Sequence, residues 1–183
     1  MKAENIKIRE AVATDASLVG RVVLMALHYG ETHPLAPIFA ELASREVSQY
    51  SYRNALVAEV DGSVVGAIIG YDGARLEELR KPLFELMREK LGSVPTVEDE
   101  TSAGEFYLDS IAVLPQYRGC GAGGALLAAA RDRAFAAGHK RVGLIVDFEN
   151  PRAEALYKSL GFERVNAMKF LGHDMWHMQA KKP

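Results

Sequence analysis

Residues 108–127 read LDSIAVLPQYRGCGAGGALL, and this segment limits what the whole chain can be. Its pattern predicts a strand that ends near Val113, an elbow that begins at Pro115, and then a helix. Four glycines stand at the predicted start of that helix: Gly119, Gly121, Gly123 and Gly124. The first amides of a helix lack internal partners and attract negative charge, and small residues let a phosphate approach them. The segment therefore predicts a phosphate or pyrophosphate site, and the alternative is a glycine-rich turn that only packs a helix on a sheet.

The composition is that of one ordinary globular domain over residues 1–183. The chain is 49% hydrophobic, and its 22 basic and 24 acidic residues leave a formal net charge of -2. So balanced a chain has no overall field to attract nucleic acid or a membrane surface. Cys120 is its one cysteine, which excludes an intrachain disulfide and a cysteine zinc site. With no apolar run of membrane-spanning length and no signal core, we expect a cytoplasmic protein without membrane or nucleic-acid partners.

The first part of the chain alternates between strand and helix patterns. We predict a strand at 6–9, a helix that Thr14 or Asp15 can cap, and a second helix at 38–50. Strands at 56–60 and 64–71 enclose Asp61-Gly62, a hairpin signal because glycine tolerates the positive φ of a tight turn.

Residues 72–104 interrupt this pattern. Leucines at helical spacing predict a helical insertion near 74–91, which Pro82 is expected to break or restart. Residues 92–104 are polar and acidic, so we predict a mobile loop there.

The remaining elements follow in regular order. We predict a strand at 106–113, a helix at 121–137 and a buried strand at 142–146. Asn150 and Pro151 can begin a further helix that Gly161 ends, and two strands are predicted within 162–178.

Three kinds of phosphate-binding segment compete for the glycines. A nucleotide-triphosphate loop needs Lys and then Ser or Thr after its last glycine, but Ala125 and Leu126 follow Gly124. A dinucleotide fingerprint is formally present, with Asp147 at the expected distance of roughly 20 residues. However, residues 115–118 separate the strand from the glycines, and 36 residues after Asp147 are too few for further βα units.

The third kind of segment is carried by a family resemblance. QYRGCG, residues 116–121, resembles the Q/R-x-x-G-x-G/A signature of the GCN5-related N-acetyltransferases. NPRAEALYKSLGF, residues 150–162, is similar to the second signature of that family, and IREA at 8–11 looks like its first strand. Two such motifs in the expected order are a strong signal, and the resemblance covers the chain outside residues 72–104.

The resemblance implies a fold and a reaction. The fold is a single-domain α/β (α+β) fold, with a mixed, mostly antiparallel sheet of about six to seven strands and a splayed central parallel pair. About four helices flank the sheet, in addition to the insertion near 74–91. The implied reaction moves an acetyl or related acyl group from acetyl-CoA to a primary amine by direct attack. A non-catalytic acyl-CoA sensor and, more remotely, a dinucleotide-binding domain are the alternatives.

The resemblance also implies which residues bind acetyl-CoA. The backbone of Ile111, Ala112 and Val113 would pair with the pantetheine, as an added strand does. The pyrophosphate would lie on residues 118–123, which are Arg118, Gly119, Cys120, Gly121, Ala122 and Gly123. Asn150 would also contact acetyl-CoA, although helix capping explains it equally well. Arg118 is equally well explained as a solvated surface arginine.

An acid and a base follow from the chemistry. Tyr157 matches the family's general acid, which would protonate the departing thiolate, and its alternative role is a half-buried aromatic on a helix face. Glu105 and Asp109 are the base candidates, with Glu105 preferred because the family's base often lies early on this strand. Taken alone, either carboxylate is slightly better explained as a solvated strand-end residue.

Two further sets of residues are not expected to take part in catalysis or metal binding. Cys120 is taken as a small loop residue, since direct attack needs no acyl-enzyme. His173 and His177 would suit a metal only on a helix, and a strand is predicted there, so no metal is expected.

The acceptor is not identified by the sequence beyond an amine, on a small molecule or a peptide. By resemblance it would lie among residues 28–37, 72–104 and 166–174. Acidic residues in the second segment hint at a cationic amine, and a homodimer is compatible with the resemblance.

Overall fold

The computed structural model describes residues 5–183. Its strands are β1 (Ile6–Glu10), β2 (Ala55–Val60), β3 (Ser63–Asp72), β4 (Phe106–Val113), β5 (Arg141–Asp147), β6 (Glu163–Phe170) and β7 (His173–Lys181). Its α-helices are α1 (Ala16–Ala26), α2 (Ala36–Ser44), α3 (Leu76–Leu91), α4 (Ala122–Ala136) and α5 (Pro151–Ser159). The number of strands and the four helices plus one inserted helix agree with the predicted fold.

All seven strands form one sheet in the order β1-β2-β3-β4-β5-β7-β6. Neighbouring strands run antiparallel except β4 and β5, which are parallel. Because α4 connects these two, they form the crossover unit that a parallel pair requires. The predicted mixed, mostly antiparallel sheet with a central parallel pair is confirmed.

The turn between β2 and β3 is the predicted hairpin. Asp61 and Gly62 have φ of 50° and 78°. Positive φ at both central residues gives the backbone twist that joins two antiparallel strands by two residues.

Helices cover both faces of the sheet. Val57 and Ile69 face α1 and α2, whereas Leu56, Ile68 and Val142 face α4. Each strand thus buries alternate residues on opposite sides. We call these the α1 face and the α4 face of the sheet.

The helix predicted at 38–50 is wrong in its second half, since α2 ends at Ser44. Two serines beyond that point bond the backbone instead of continuing the helix. Ser48 Oγ donates to the Leu42 carbonyl at 2.7 Å, and Ser51 Oγ donates to the Arg45 carbonyl at 2.5 Å. Such side-chain bonds compete with helix formation.

The break predicted at Pro82 is also wrong, because α3 runs through it from Leu76 to Leu91. A proline inside a helix removes the bond to the carbonyl four residues earlier. That carbonyl belongs to Glu78, which is exposed, so water can serve it. Leu79 and Leu83 are buried on either side, and their burial holds the helix in place.

Residues 92–104, which we call the strap, are irregular as predicted but are tied to the rest of the molecule. Arg80 of α3 forms ion pairs with Asp99 and Glu100. Glu98 Oε2 accepts a hydrogen bond at 3.1 Å from the Leu171 amide, in the turn between β6 and β7. Glu100 and Thr101 are buried, so the strap contributes to the interior.

Candidate active site

A cleft opens in the middle of the sheet. β4 and β5 pair only through Phe106–Val142 and Tyr107–Gly143, and beyond these pairs the two strands diverge. Residues of a central strand are normally buried, yet Asp109 and the three residues 111–113 are partly exposed. The predicted splay is therefore present, and it leaves the second half of β4 without a partner on its β5 side.

A β-bulge lies at the start of this cleft. β3 pairs Ile69 with Ser110 and Gly70 with Leu108, so Asp109 is an extra residue in β4. Bulges bend a strand and redirect a side chain, and they are frequent beside active sites. Here the bulge contributes to the divergence of β4 and gives Asp109 its position at the cleft.

The predicted phosphate loop joins β4 to α4. Pro115–Tyr117 forms a 3-10 turn, and Gly121 precedes α4 with φ of 103°, which favours glycine. The amides of the first turn of α4 have no partner within the helix. They lie at the end of the cleft, where the helix dipole favours an anion. Arg118 is exposed, and its Nε donates to the Val113 carbonyl at 3.4 Å.

Several predicted residues belong to one cluster on the α4 face. Ile111, Val113, Cys120 and Tyr157 all pack against the apolar core beneath α4. Tyr157 lies on α5, which Asn150 caps by accepting a hydrogen bond from the Ala153 amide at 3.1 Å. Burial raises the pKa of the Tyr157 hydroxyl, which therefore stays protonated at neutral pH.

Asp109 lies toward the opposite face of the sheet. Its carboxylate accepts hydrogen bonds from the Tyr71 hydroxyl at 2.7 Å, from Gln49 Nε2 at 2.8 Å and from Ser110 Oγ at 2.8 Å. Burial raises the pKa of Asp109, and these hydrogen bonds and the Arg80 charge offset only part of that rise. Asp109 is partly exposed, and a carboxylate with a raised pKa is suited to accept a proton.

Glu105 lies at the other end of β4, where the two strands are still paired. Its carboxylate accepts bonds from Thr101 at 2.6 Å, from Gln179 at 2.7 Å and from His177 Nε2 at 2.9 Å. It lies so close to Gly143 that a Cβ there would stand 2.0 Å from Oε2. Burial favours a higher pKa for Glu105, but the hydrogen bonds outweigh it and hold the pKa below its ordinary value.

Four residues that the sequence did not single out complete the surroundings of Asp109: Gln49, Tyr71, Arg80 and Glu100. They come from the segment after α2, from β3, from α3 and from the strap. The acidic run 98–100 was the one sequence signal for any of them, and it suggested a solvated loop. Glu100 is instead buried against Arg80.

The segments predicted to surround the acceptor lie near the cleft. Residues 28–31 line a cavity of about 350 Å³ together with Pro115 and Arg118 of the elbow. Tyr29 and His33 stack there with ring centroids 3.9 Å apart. The Glu98–Leu171 bond brings the strap to the last hairpin, so the second and third segments touch.

His173 and His177 lie on β7 and bond different carboxylates. His173 Nδ1 is 2.9 Å from Asp147 Oδ2, and His177 bonds Glu105. Within residues 5–183, no group of three or more His, Cys, Asp or Glu is arranged to hold a metal ion. In the same residues, no helix combines the length and the apolarity needed to cross a bilayer.

Comparisons with known proteins agree on the family and on the fold. A family model described as the acetyltransferase (GNAT) family matches residues 24–162. An N-alpha-acetyltransferase of Sulfurisphaera tokodaii is 32% identical over 185 residues, covering 98% of this chain and 95% of the relative. A crystal structure of an acetyltransferase shares 36% identity and a TM-score of 0.79, covering 96% of this chain and 98% of the other. An N-acetyltransferase from Staphylococcus aureus Mu50 has the same fold, with a TM-score of 0.81, 23% identity and coverage of 95% and 100%.

Proposed function

The chain belongs to the acetyltransferase (GNAT) family, and on that premise we propose that Asp109 and Tyr157 handle the two protons of its reaction. Membership makes it an N-acetyltransferase that uses acetyl-CoA and acts on an amine. A binding module without catalysis and a dinucleotide-binding domain are therefore set aside. Acetyl-CoA supplies an acyl thioester, so a C–N bond forms while a C–S bond breaks.

The cleft between β4 and β5 suits the pantetheine. The unpaired backbone of Ile111, Ala112 and Val113 offers it the hydrogen bonds of a missing strand. Residues 118–123 end at the first turn of α4, whose amides suit the pyrophosphate. Asn150 already caps α5, so a cofactor contact from it would be additional.

One observation supports direct attack most strongly: Asp109 and Tyr157 lie on opposite faces of the sheet. Tyr157, like Ile111 and Val113, packs against the apolar core on the α4 face, where it can protonate the departing thiolate. Asp109 bonds Tyr71 and Gln49 on the other side, where it can accept the amine proton. The amine and the thiol then need not share a path.

We favour Asp109 over Glu105 as the base. Three side-chain donors hold Glu105 in its ionised form at the paired end of the strands, and they lower its proton affinity. Asp109 lies at the bulge, is partly exposed and has a raised pKa. Glu105 instead ties β7 to the strap.

The proposed acceptor is the α-amino group of a peptide or protein. The Sulfurisphaera relative, similar over nearly the whole chain, is named for that activity. An α-amine has a pKa of about 7.7–8.0, so a carboxylate with a raised pKa can take its proton, whereas a lysine amine needs a far stronger base. The acidic strap does not favour a polycation, because Asp99 and Glu100 are paired with Arg80.

Thiol release from acetyl-CoA tests the acceptor and the base together. We expect turnover with a lysine-free peptide that has a free α-amine, and little with an N-acetylated lysine peptide or with spermidine. Asp109→Asn should lower kcat by about 10² to 10⁴, the usual contribution of a positioned base. Asp132→Asn, at an exposed carboxylate on α4, is the matched control and should keep the wild-type rate. Preference for the lysine peptide would overturn the acceptor, and a wild-type rate in Asp109→Asn would overturn the base.

A further inference from the structure

Two carboxylates from distant parts of the chain share one amide group. Gln49 Nε2 is 2.8 Å from Asp109 Oδ2 and 2.9 Å from Glu100 Oε1. An amide nitrogen has two hydrogens, so Gln49 can donate one to each carboxylate. The Gln49 amide oxygen is buried and has no hydrogen-bond partner among residues 5–183. The two carboxylates therefore fix the orientation of the amide, although this orientation leaves its oxygen without a hydrogen bond.

The second carboxylate belongs to the strap and is closed off from water. Glu100 is 4% exposed, Gln49 is 2% exposed and Arg80 is 6% exposed. Asp109 is the member of this cluster that is partly exposed, at the bulge beside the cleft. Solvent does not screen the charge of Glu100, so that charge interacts strongly with a proton that Asp109 takes up.

The charges of the cluster determine how Glu100 changes the proton affinity of Asp109. With both carboxylates ionised, Asp109, Glu100 and Arg80 together carry one excess negative charge. One added proton brings the three to neutrality, which is the state that a buried cluster favours. Without Glu100, Asp109 and Arg80 would already be neutral, and a proton on Asp109 would leave a buried positive charge.

We infer that Asp109 and Glu100 act as one proton acceptor, in which Glu100 is a positioning residue that raises the basicity of Asp109 through their shared Gln49 amide. This inference rests on the proposed role of Asp109 as the base. It assigns a role in the reaction to the strap, which lies outside the segments of the sequence that carry the family resemblance.

The titration of both carboxyls supports this inference. Burial and the neighbouring Asp109 charge raise the pKa of Glu100 to about 7, although Arg80 opposes the rise. Burial likewise raises the pKa of Asp109. The titratable or charged groups that face the pair are Arg80 from α3, Tyr71 from β3, Tyr107 from β4 and Tyr50 from the segment after α2. Burial keeps the three tyrosines protonated, so Arg80 is the one fixed charge among them.

The proton balance is simple. The protonated α-amine gives one proton to Asp109, which frees the lone pair that forms the C–N bond, and the nitrogen loses a second proton to water as the amide forms. The electron pair of the broken C–S bond leaves with sulfur, which takes a proton from Tyr157. The pair then returns its proton to water through the exposed side of Asp109, and Tyr157 regains one.

The decisive experiment is the pH profile of kcat for Glu100→Gln, measured with saturating acetyl-CoA and α-amine peptide, because kcat/KM would also report the titration of the free α-amine at about 7.7–8.0. A base must be deprotonated to act, so activity is lost as pH falls through its pKa. Removing the Glu100 charge lowers the basicity of Asp109, and the acid limb should move to lower pH by about one unit or more. Asp99→Asn is the matched control, because Asp99 also bonds Arg80 but its side chain is 75% exposed. Its profile should match the wild type.

Each outcome decides the question. An unchanged acid limb in folded Glu100→Gln, or an equal shift in Asp99→Asn, overturns the inference. If the acid limb persists unchanged in Asp109→Asn, Asp109 is not the base, and this part of the proposed function fails. If Asp109→Asn loses the limb while Glu100→Gln keeps it, the inference alone fails.

A measurement on the unaltered protein guards against a misfolded variant. The infrared carbonyl stretch of a protonated carboxylic acid should be present below neutral pH and should disappear with a midpoint near neutrality. Its absence at mildly acidic pH, where ordinary carboxyls are ionised, would also overturn the inference.

Discussion

At the scale of single residues, Tyr157 combines two properties that one substitution can separate. Its ring packs with Phe162 and the apolar core beneath α4, with the ring centroids of the two residues 6.2 Å apart. Its hydroxyl has a pKa raised by burial, which suits a group that must hold a proton until a thiolate forms. Packing explains the ring, whereas only chemistry or cofactor binding explains the hydroxyl.

Tyr157→Phe should therefore leave the fold intact and slow the reaction. Loss of a positioned acid lowers kcat by about 10² to 10⁴, with little change in the affinity for acetyl-CoA. The loss should shrink with acyl donors whose leaving thiol has a lower pKa, because such thiolates need less protonation. Saturated rates and dissociation constants of both proteins check this, and wild-type values for both would remove Tyr157 from the mechanism.

At the scale of elements, the two ends of α4 are chemically opposite. Gly121 precedes the first turn, whose amides lack partners within the helix, and Gly138 follows the last turn at the opposite end. Both glycines have positive φ, 103° and 99°. The same substitution at the two positions therefore introduces similar backbone strain and the same charge. Only at Gly121 does that charge lie beside the predicted pyrophosphate site.

Gly121→Glu should abolish acetyl-CoA binding, because bulk and negative charge would stand where the pyrophosphate is expected. Gly138→Glu should bind acetyl-CoA with wild-type affinity. Isothermal titration of both variants, after circular dichroism has shown that they fold, makes the comparison. Equal affinities in the two variants would mean that the anion binds elsewhere.

Elements marked by local chemistry were predictable from the sequence, and those set by distant contacts were not. The Asp61-Gly62 turn, the Asn150 cap and the glycines before α4 each carry their own signal. The end of α2 depends on serine bonds to the backbone, and the passage of α3 through Pro82 depends on burial. The surroundings of Asp109 were invisible because Gln49 and Glu100 lie 51 residues apart and meet only in the folded chain.

At the scale of the whole molecule, acetyl-CoA is expected to bridge parts of the fold that otherwise touch little. β4 and β5 share two residue pairs, and residues of α4 and α5 pack in the apolar core on one face of the sheet. A ligand that binds the folded state alone stabilises it by mass action, by about 2.7 kcal/mol at 100 times its Kd.

Thermal unfolding with acetyl-CoA at that concentration should show a rise in Tm of roughly 5–10 °C, given about 2–4 °C per kcal/mol for a chain of this size. NAD should produce no shift, because a mostly antiparallel sheet offers no doubly wound crevice. Gly121→Glu serves as the internal control and should lose the shift. Protection by NAD alone would contradict the assignment of the cofactor.

The divergence of β4 from β5 also gives the sheet four edges instead of two. The outer edges are β1 and β6, and the inner pair faces the cleft. An unpaired strand edge is a template for any passing extended chain, and proteins usually cover or shorten such edges. Here α1 packs on one face of the sheet and α4 on the other, so the inner edges lie between two helices. A chain that paired with β4 at the centre of the sheet would have to enter between these helices, so the helices protect the molecule from such pairing.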